Sequence, residues 1–440
     1  MSNILPPSEL VLAELGIDSA AIKFIHPHWK RTRYRAVINW LTKYKPKPDA
    51  TNLEKVRGYL EAFHHLCEVE AWEEASRILL TRLNTPTNEQ LHNQLELWGI
   101  YHERASLYSR LLDKLGSRLD VQLVYGLSDS CYHLENYNKA IEGYQWCLAV
   151  ARENRDQQLE GLALRGLGNA YDSLGNYAKA LEYHEKCLAV SQKSGDRQLE
   201  GQALGNIGLV YRSLENYDTA IKYTQQDLEI ARELQNYRSE AAALGNLAGI
   251  YCFLNRDIEA LDYLNQSLAI CKKIQHRRGE ADVLGILGGA HFNLGDYYHS
   301  MSSTNPYINK LTQNKKLFYF NYRKLGISHQ PQNHLPSHHY TKAVEYWQQS
   351  LLIYRELEND KGELGILGNL GCVYGSLGEY DKAIEYQQNS LAIAQKIHDF
   401  SEQERLLLNL CATYCALGEY EKAIAYNHQH LDIVRWRYRS

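Results

Sequence analysis

Proline is scarce in this sequence of 440 residues. Only nine prolines occur, and none lies in residues 87–305 or after Pro336. Proline removes a backbone donor and clashes with the preceding turn of a helix, so long stretches without it are compatible with uninterrupted helices. The distribution favours a helical chain and draws attention to the segment that holds Pro306, Pro331 and Pro336.

The sequence also lacks a large excess of charge of one sign and any long apolar run. The formal net charge is -4, so no overall field favours nucleic acid or an acidic membrane surface. No apolar run approaches the roughly 20 residues that a membrane-spanning helix needs. The first residues, MSNILPPSEL, lack the basic start of a secretory signal. We therefore expect a cytoplasmic protein with no membrane partner.

The sequence lacks the usual motifs of metal binding and catalysis. The nine cysteines form no CxxC pair, and Cys147 and Cys187 occupy equivalent positions, so we expect reduced cysteines in the core. Cys411 and Cys415 lie one helical turn apart, and packing is the favoured interpretation over a metal site. No GxxxxGK[ST], HExxH or GxSxG motif occurs. We predict no metal, no cofactor and no enzymatic activity.

A repeat dominates what is present. An alanine recurs at intervals of 40 residues, with one late return, and most copies follow a tyrosine by three positions: Ala140, Ala180, Ala220, Ala260, Ala343, Ala383 and Ala423. A unit of this size is too small to bury its own apolar face. Such units are stable only when they stack on one another.

Residues 161–194 form the clearest unit. Apolar or small residues keep the i, i+3, i+4, i+7 spacing of one helical face at Leu164, Leu167, Gly168 and Tyr171. The short turn LGN then leads into a second amphipathic segment, which predicts two antiparallel helices. Gly168 and Ala180 are expected where these helices cross most closely, because a larger side chain would hold the axes apart.

This pattern resembles the tetratricopeptide repeat, a helix-turn-helix unit with small and large apolar residues at fixed positions. The period is 40 residues instead of the commoner 34, and the usual proline near the end of a unit is missing. Both features are similar to a long-helix subclass found in Leu-Gly-Asn-type spindle adaptors and bacterial signalling arrays. The resemblance implies an all-α fold, an α-solenoid in which antiparallel helix pairs form a right-handed superhelix.

The repeat divides the chain into five segments. We expect an N-terminal basic helical extension in residues 1–55 and two degenerate units in residues 56–116. A regular array in 121–297, an inserted low-acid loop in 298–340 and a continued array in 341–440 follow. The degenerate units lie around Trp72 and Ala75 and around Trp98 and Ala105, and the repeat register slips by one residue in the second.

The inserted segment breaks the rhythm between Ala260 and Ala343. Removing residues 298–340 would join LGDY to TKAVEYW and restore the 40-residue period, so we expect a turn at LGDY followed by a solvated loop. Deleting such a loop should leave the protein at least as stable. The histidines within it have no fixed spacing, and a metal or partner site is the less favoured interpretation for His329, His334, His338 and His339.

The resemblance implies that the first helix of each unit lines a concave surface, where an asparagine can grip a peptide backbone. Asn206, Asn246, Asn369 and Asn409 occupy that position. An amide offers both a donor and an acceptor, so it can bind an extended peptide whatever its side chains. Alternatively, these asparagines bond to the backbones of neighbouring helices or are simply consensus residues.

The remaining concave positions would set specificity. They carry both signs of charge: Asp129, Tyr132, Arg165, Asn169, Asp172, Arg212 and Arg405. Mixed charge favours a bound segment that itself carries both signs. We therefore expect a non-catalytic scaffold or adaptor that binds a peptide or protein segment in its groove. The resemblance also implies a more specific form of this role, in which the protein is the sensor arm of a signalling assembly.

Residues 23–47 support an alternative function. They contain eight lysines or arginines, no acid, and several aromatic residues, a composition typical of a nucleic-acid surface. However, helical spacing relates Tyr34, Val37, Ile38, Leu41 and Tyr44. We therefore expect the aromatic residues of this segment to pack an amphipathic helix against the first repeat, with its basic side in solvent. Packing is therefore favoured, and nucleic acid is not the expected partner.

Overall fold

The computed structural model describes residues 4–47, 50–85, 88–302, 335–357 and 359–437. The chain divides into two compact units, Met1–Asn216 and Tyr217–Ser440. The described residues form helices and no strand, apart from one isolated antiparallel bridge between Arg82 and Gln90. No described helix is both long enough and apolar enough to cross a membrane.

The first unit contains eleven α-helices and one short 3-10 helix, Ala21–Phe24, in its described part. The α-helices are α1 Ser8–Leu15, α2 His28–Lys43, α3 Asn52–Glu68, α4 Trp72–Leu80, α5 Leu91–Leu97, α6 Tyr101–Leu111, α7 Ser117–His133, α8 Tyr137–Asn154, α9 Gln157–Ser173, α10 Tyr177–Ser194 and α11 Arg197–Ser213. Consecutive helices pack on one another from α1 to α11.

The second unit contains nine α-helices in its described part. They are α12 Tyr217–Glu233, α13 Tyr237–Phe253, α14 Asp257–Lys273, α15 Arg277–Ser302, α16 Leu335–Glu356, α17 Asp360–Ser376, α18 Tyr380–Lys396, α19 Phe400–Leu417 and α20 Tyr420–Arg437. Again each helix packs on the next. Antiparallel pairs with short turns, as the repeat predicts, therefore build both units.

Several turns share one arrangement. A residue with a positive φ lies just beyond the end of one helix, and the side chain of the following residue caps the next helix. Gly175 has a φ of 72°, and the Asn176 side chain then accepts a hydrogen bond of 3.3 Å from the backbone N–H of Lys179. Gly195 and Asp196 repeat the arrangement before α11. These caps satisfy backbone groups that helix ends leave unpaired, so each turn can be short.

The recurring alanines are buried as predicted. Each of the seven is at most 2% exposed. The small residue on the facing helix is equally necessary, since a Cβ added at Gly168 would lie 2.4 Å from the ring of His184. The prediction that Gly168 and Ala180 lie at a close crossing is confirmed.

The expected turn at LGDY is wrong. Helix α15 continues through this sequence to Ser302, and α16 begins at Leu335. The reason is Tyr340, whose ring packs over Gly295 so closely that a Cβ there would lie 2.7 Å away, and whose hydroxyl donates to Asp296 at 2.6 Å. Residues 298–302 and 335–340 are therefore helical. The rest of the expected loop, including His329 and His334, lies outside the described residues.

His339 is also not in a solvated loop. It is 1% exposed, its ring stacks on Tyr298, and its Nδ1 lies 3.0 Å from Nδ1 of His291. Burial lowers the pKa of His339 to about 3 and that of His291 to about 4, so both rings are neutral near neutral pH. His338 is exposed. Within the described ranges no three potential ligands come together to hold a metal.

The cysteines of the described residues are all free. Cys147 and Cys187 are buried, as their equivalent positions predict, and Cys411 packs against an apolar cluster of the last repeats. Cys415 is exposed, so the packing interpretation is wrong for that residue. It lies one helical turn beyond Cys411 on α19.

One buried position of the second helices holds a hydrogen-bond donor in most repeats. Ser267 donates to the carbonyl of Ala241 at 2.7 Å, and Ser390 donates to the carbonyl of Leu364 at 2.9 Å. Asp227 occupies the same repeat position in α12 and is 8% exposed. Burial raises the pKa of Asp227 to about 7. When it is ionised, a carboxylate at this buried position therefore destabilises the folded state.

Tyr340→Ala should destabilise the protein by about 3–5 kcal/mol, the usual cost of removing a buried ring. The control is Tyr297→Ala, because Tyr297 is 51% exposed on the same helix pair. We expect that control to change stability by less than about 0.5 kcal/mol. Urea denaturation followed by circular dichroism measures both. Equal effects would contradict the helical extension of α15 and α16.

Asp227→Ser should stabilise the protein by about 1–3 kcal/mol above about pH 7, because it replaces a buried carboxylate with a donor. Between about pH 4 and about pH 7 the folded state holds the Asp227 proton more tightly than the unfolded state, so this group lowers stability as pH rises. The advantage of the variant should grow over that range and then level off. Asp218→Ser, an exposed change on the same helix, is the control. A pH-independent difference would refute the explanation.

Candidate partner-binding surface

The first helices of consecutive repeats contact one another directly. In the first unit α9 contacts both α7 and α11, and in the second unit α13, α15, α17 and α19 form a similar row. The second helices pack behind them. Each row therefore presents one continuous face, which we call the first-helix surface of its unit.

Two hydrogen bonds between α9 and α11 join residues that are 37 positions apart, whereas those between α7 and α9 join residues that are 40 or 41 positions apart. Asn206 Nδ2 donates to Asn169 Oδ1 at 3.0 Å, and a guanidinium N–H of Arg165 donates to Gln202 Oε1. Equivalent positions are 40 residues apart, so in these two bonds each partner lies about one helical turn away from the equivalent residue. These offsets determine which side chains meet on the surface.

The four predicted asparagines are all half-buried on first helices. Asn206 bonds to Asn169, and Asn409 Nδ2 makes a long contact of 3.8 Å with Cys372 Sγ. The side chains of Asn246 and Asn369 make no hydrogen bond to the described part of the chain. Two of the four thus contact a side chain of a neighbouring first helix, whereas the alternative expected bonds to helix backbones.

The predicted acid Asp129 belongs to a buried charge network. Arg104 is 5% exposed and donates to Asp129 Oδ2 at 2.8 Å and to Glu96 at 2.7 Å. Burial by itself lowers the pKa of Arg104, but Tyr108, Glu96 and Asp129 outweigh it and raise that pKa above its usual value. The guanidinium is therefore permanently charged and balanced by two carboxylates.

A pocket of about 880 Å³ opens beside this network in the first unit. Its lining comes from helices α5 to α9 and includes His92, Glu96, Arg104, Tyr108, Tyr125, Asp129, Asp156 and Arg165. His92 joins two neighbours, since its Nδ1 lies 2.7 Å from the Tyr108 hydroxyl and its Nε2 lies 2.9 Å from Gln90 Oε1. Burial lowers the pKa of His92 to about 4, so its ring is neutral. Both polar and apolar side chains line the pocket.

Arg165 has a different environment from Arg104. Its partners are Gln202 and the Tyr125 hydroxyl, which accepts at 3.3 Å. Neither partner is charged. In the described ranges no carboxylate lies within 4.0 Å of this guanidinium. Within the pocket, Arg104 therefore pairs directly with two carboxylates, whereas Arg165 feels the charge of Asp129 only from a greater distance.

The other predicted site residues are more dispersed. Tyr132 accepts a hydrogen bond of 3.2 Å from Ser173, while Asp172 has one buried oxygen without a partner. Burial raises the pKa of Asp172, and the positive charge of Arg212 opposes that rise. In the second unit, Arg405 is engaged by Glu402 on its own helix at 2.6 Å. The structure thus gathers the predicted residues mainly in the first unit.

Family comparisons agree with this geometry. A model described as tetratricopeptide repeat matches residues 120–193, 199–273 and 336–396, and a second model of the same description matches residues 406–437. The chain belongs to the tetratricopeptide repeat (TPR) proteins. TPR proteins are generally non-catalytic scaffolds for protein–protein interaction. A search of curated proteins found no match.

Two solved structures share the fold, with TM-scores above 0.5 at low sequence identity. A Rap protein complexed with Competence and Sporulation Factor has a TM-score of 0.52 and 15% identity, with 98% of each chain covered. The Cut9–Hcn1 hetero-tetramer has a TM-score of 0.51 and 15% identity, covering 98% of this chain and 65% of that chain. A signal transduction ATPase with a TPR sensor from Pyrococcus horikoshii has a TM-score of 0.49 and 17% identity, covering 95% and 54%. The fold is an all-α solenoid.

The TPR matches leave out residues 56–116, where two degenerate units were expected. The structure has two helix pairs there, α3 with α4 and α5 with α6, and Ala75 is fully buried. In the second pair the sequence register slips by one residue, so Arg104 is buried where Ala105 was the expected small residue. Sequence reasoning missed Arg104 for that reason. The slip itself was the available signal.

The basic segment packs largely as its spacing predicts. Val37 is fully buried and Leu41 is 8% exposed, while Arg33 pairs with Glu68 at 2.9 Å. Two of its aromatic residues do not pack, because Phe24 is 72% exposed and Trp29 is 56% exposed. The expectation that the aromatic residues of this segment are buried is wrong for those two.

Arg104→Gln should destabilise the TPR protein by about 3–5 kcal/mol, because it leaves two partly buried carboxylates without their counter-charge. Arg77→Gln is the control, since Arg77 is an exposed residue whose pair with Glu73 spans 3.8 Å. That change should cost less than about 1 kcal/mol. Thermal unfolding of both variants is the measurement. A stable Arg104→Gln protein would show that the network is not required for folding.

Proposed function

We propose that this TPR protein is a non-catalytic scaffold that binds a peptide or protein segment on its first-helix surface. The observation that carries the proposal is the connected polar row of the first unit. Tyr125, Arg165 and Gln202 are hydrogen-bonded in series across α7, α9 and α11, and Asn169 and Asn206 form a parallel pair. Side chains held in this way lose little freedom when they bind.

The row supports peptide binding because its amides keep unused bonding capacity. Each asparagine side chain offers two donors and two acceptor lone pairs, and the Asn169–Asn206 bond uses one of each. The remaining groups can pair with the backbone of an extended segment. Charged residues of both signs lie beside them, which favours a segment that also carries both signs.

A non-catalytic role fits the state of the titratable groups in the pocket. His92 is neutral and held between Tyr108 and Gln90, and the two acids beside it are engaged by Arg104. The contacts of these groups therefore serve to stabilise the fold. We propose that the protein acts in the cytoplasm as an adaptor, or as the sensor arm of a signalling assembly. The Rap protein of similar fold was solved with a bound factor, which supports a ligand-binding role of this kind.

Capture from a native lysate tests the proposal. Asn169→Ala with Asn206→Ala removes the pair in the first unit, and a second variant replaces Asn246, Asn369 and Asn409 with alanine in the second unit. We expect at least one of the two variants to retain partners about tenfold less than the wild type. The comparison shows which unit makes the contact.

Asn265→Ala with Asn389→Ala is the matched control, because both residues are exposed on second helices. This control should capture as much as the wild type. If all three variants retained their partners equally, the first-helix surface would not be the binding surface.

A further inference from the structure

The last helix pair of the second unit exposes large apolar side chains. Ile424 and Leu431 of α20 are 57% and 37% exposed, and Leu408 of α19 is 45% exposed. Ile424 and Leu431 are seven residues apart, so they lie on the same side of their helix. Single exposed apolar residues are ordinary on a protein surface, whereas a group of them on one side of a structure marks a site of interaction.

The preceding repeat shows what these positions do elsewhere in the chain. The residues 40 positions earlier are Ile384 and Leu391 of α18, and both pack in the apolar cluster that includes Leu406 of α19. Leu391 is only 7% exposed. Ile424 and Leu431 thus occupy the positions with which a second helix holds the first helix of the next repeat, but in α20 these positions are exposed.

Two further positions follow the same rule. Gln387 of α18 is 3% exposed and accepts a hydrogen bond of 3.1 Å from Thr413 of α19, while its equivalent Asn427 is exposed. The equivalent of Leu408 is Gly368, where an added Cβ would meet side chains of α19. We call the surface formed by Leu408, Ile424, Asn427 and Leu431 the end face of the second unit.

The charges of α20 indicate which partner fits the end face. Glu421 lies three residues before Ile424, and Arg435 lies four residues after Leu431, so both continue the same side of the helix. Both are exposed, and the one ion pair of Arg435 within α20 is a loose contact of 3.8 Å with Asp432. The apolar centre of this side is therefore flanked by an acid at one end and a base at the other.

This order of residues is complementary to itself when reversed. If two copies of α20 pack antiparallel, Ile424 of each copy meets Leu431 of the other. Glu421 of each copy then lies beside Arg435 of the other, and opposite charges meet at both ends. A parallel arrangement would bring Glu421 next to Glu421 and Arg435 next to Arg435, which is repulsive.

We propose that the end face binds the end face of a second copy of this chain, with the two α20 helices antiparallel about a twofold axis. Such an interface is isologous, so each Glu421–Arg435 contact occurs twice. It continues the stacking of the repeats from one chain to the next and removes exposed apolar side chains from water. The inference goes beyond the proposed function, because a dimer carries two copies of each first-helix surface and can bind two partner segments at once.

Sedimentation velocity of the full chain tests the proposal. The chain should sediment mainly at twice its mass of 50.7 kDa at about 100 μM and mainly as a monomer at about 0.1 μM, as expected for micromolar affinity. Ile424→Glu with Leu431→Glu should weaken dimerisation by about 100-fold or more, because it places four acids in the interface. Leu352→Glu is the matched control, since Leu352 is 61% exposed on α16, also a second helix, and should leave the dimer intact.

Charge reversal tests the antiparallel arrangement. Glu421→Arg and Arg435→Glu should each weaken the dimer by about tenfold, because each change makes both end contacts repulsive. The two changes together restore opposite charges at both ends, so the combined variant should dimerise within about threefold of the wild type. The replaced side chains are exposed, and circular dichroism should show the wild-type helix content in every variant.

A photoreactive residue in place of His428, which is exposed between Ile424 and Leu431, identifies the occupant of the end face in a native lysate. An adduct of twice the mass of the chain supports the proposal. An adduct formed only with a different protein overturns it, because another partner then covers the face.

Other results would also contradict the proposal. A wild type that stays monomeric at about 100 μM overturns it. So does a dimer that survives Ile424→Glu with Leu431→Glu, or one that Leu352→Glu weakens equally. Failure of the combined charge reversal to restore the dimer, or assemblies that grow beyond two chains, overturns the antiparallel twofold pairing. None of these results depends on capture of a partner by the first-helix surface.

Discussion

The close crossing of two helices is the constraint on which both units depend. A repeat of this length cannot bury its apolar face alone, so each pair must approach its neighbours closely and without voids. Alanine on the second helix and small residues on the first permit that approach, and at Gly168 even one methyl group would collide with His184. The close packing that stabilises each unit therefore also forms its first-helix surface, because stacked pairs align their first helices in a row.

The row of first helices places residues that are far apart in sequence side by side. Between α9 and α11 the bonded residues are 37 positions apart: Asn169 with Asn206, and Arg165 with Gln202. Between α7 and α9, Arg165 instead bonds to Tyr125, which occupies its equivalent position one repeat earlier. These polar side chains are the ones that we propose recognise a partner.

Much of the fold followed from the sequence because short-range chemistry determines it. The alanine period, the turn residues and the caps are all local features, and they located the helix pairs correctly. The turn at LGDY failed because a distant residue, Tyr340, packs over Gly295 and keeps the helix intact. Arg104 was missed because its repeat is out of register.

The candidate site was only partly predictable for a related reason. The repeat positions named Arg165 and Asn169 but could not show that one pairs with Gln202 and the other with Asn206. Those contacts depend on how far each helix is displaced relative to the next, which no single repeat records. The difference between Arg104, which pairs directly with two acids, and Arg165, which bonds to neutral partners, likewise appears only when several helices are brought together.

Site-specific photocrosslinking tests the central claim, that partners bind the first-helix surface, most directly. The photoreactive residue p-benzoylphenylalanine would replace Tyr132 on α7 in one protein and Trp146 on α8, a residue that is 43% exposed on a second helix, in another. Irradiation in a native lysate should give a discrete adduct from position 132 and none from position 146. Adducts of equal yield from both positions, or an adduct from position 146 alone, would contradict the account.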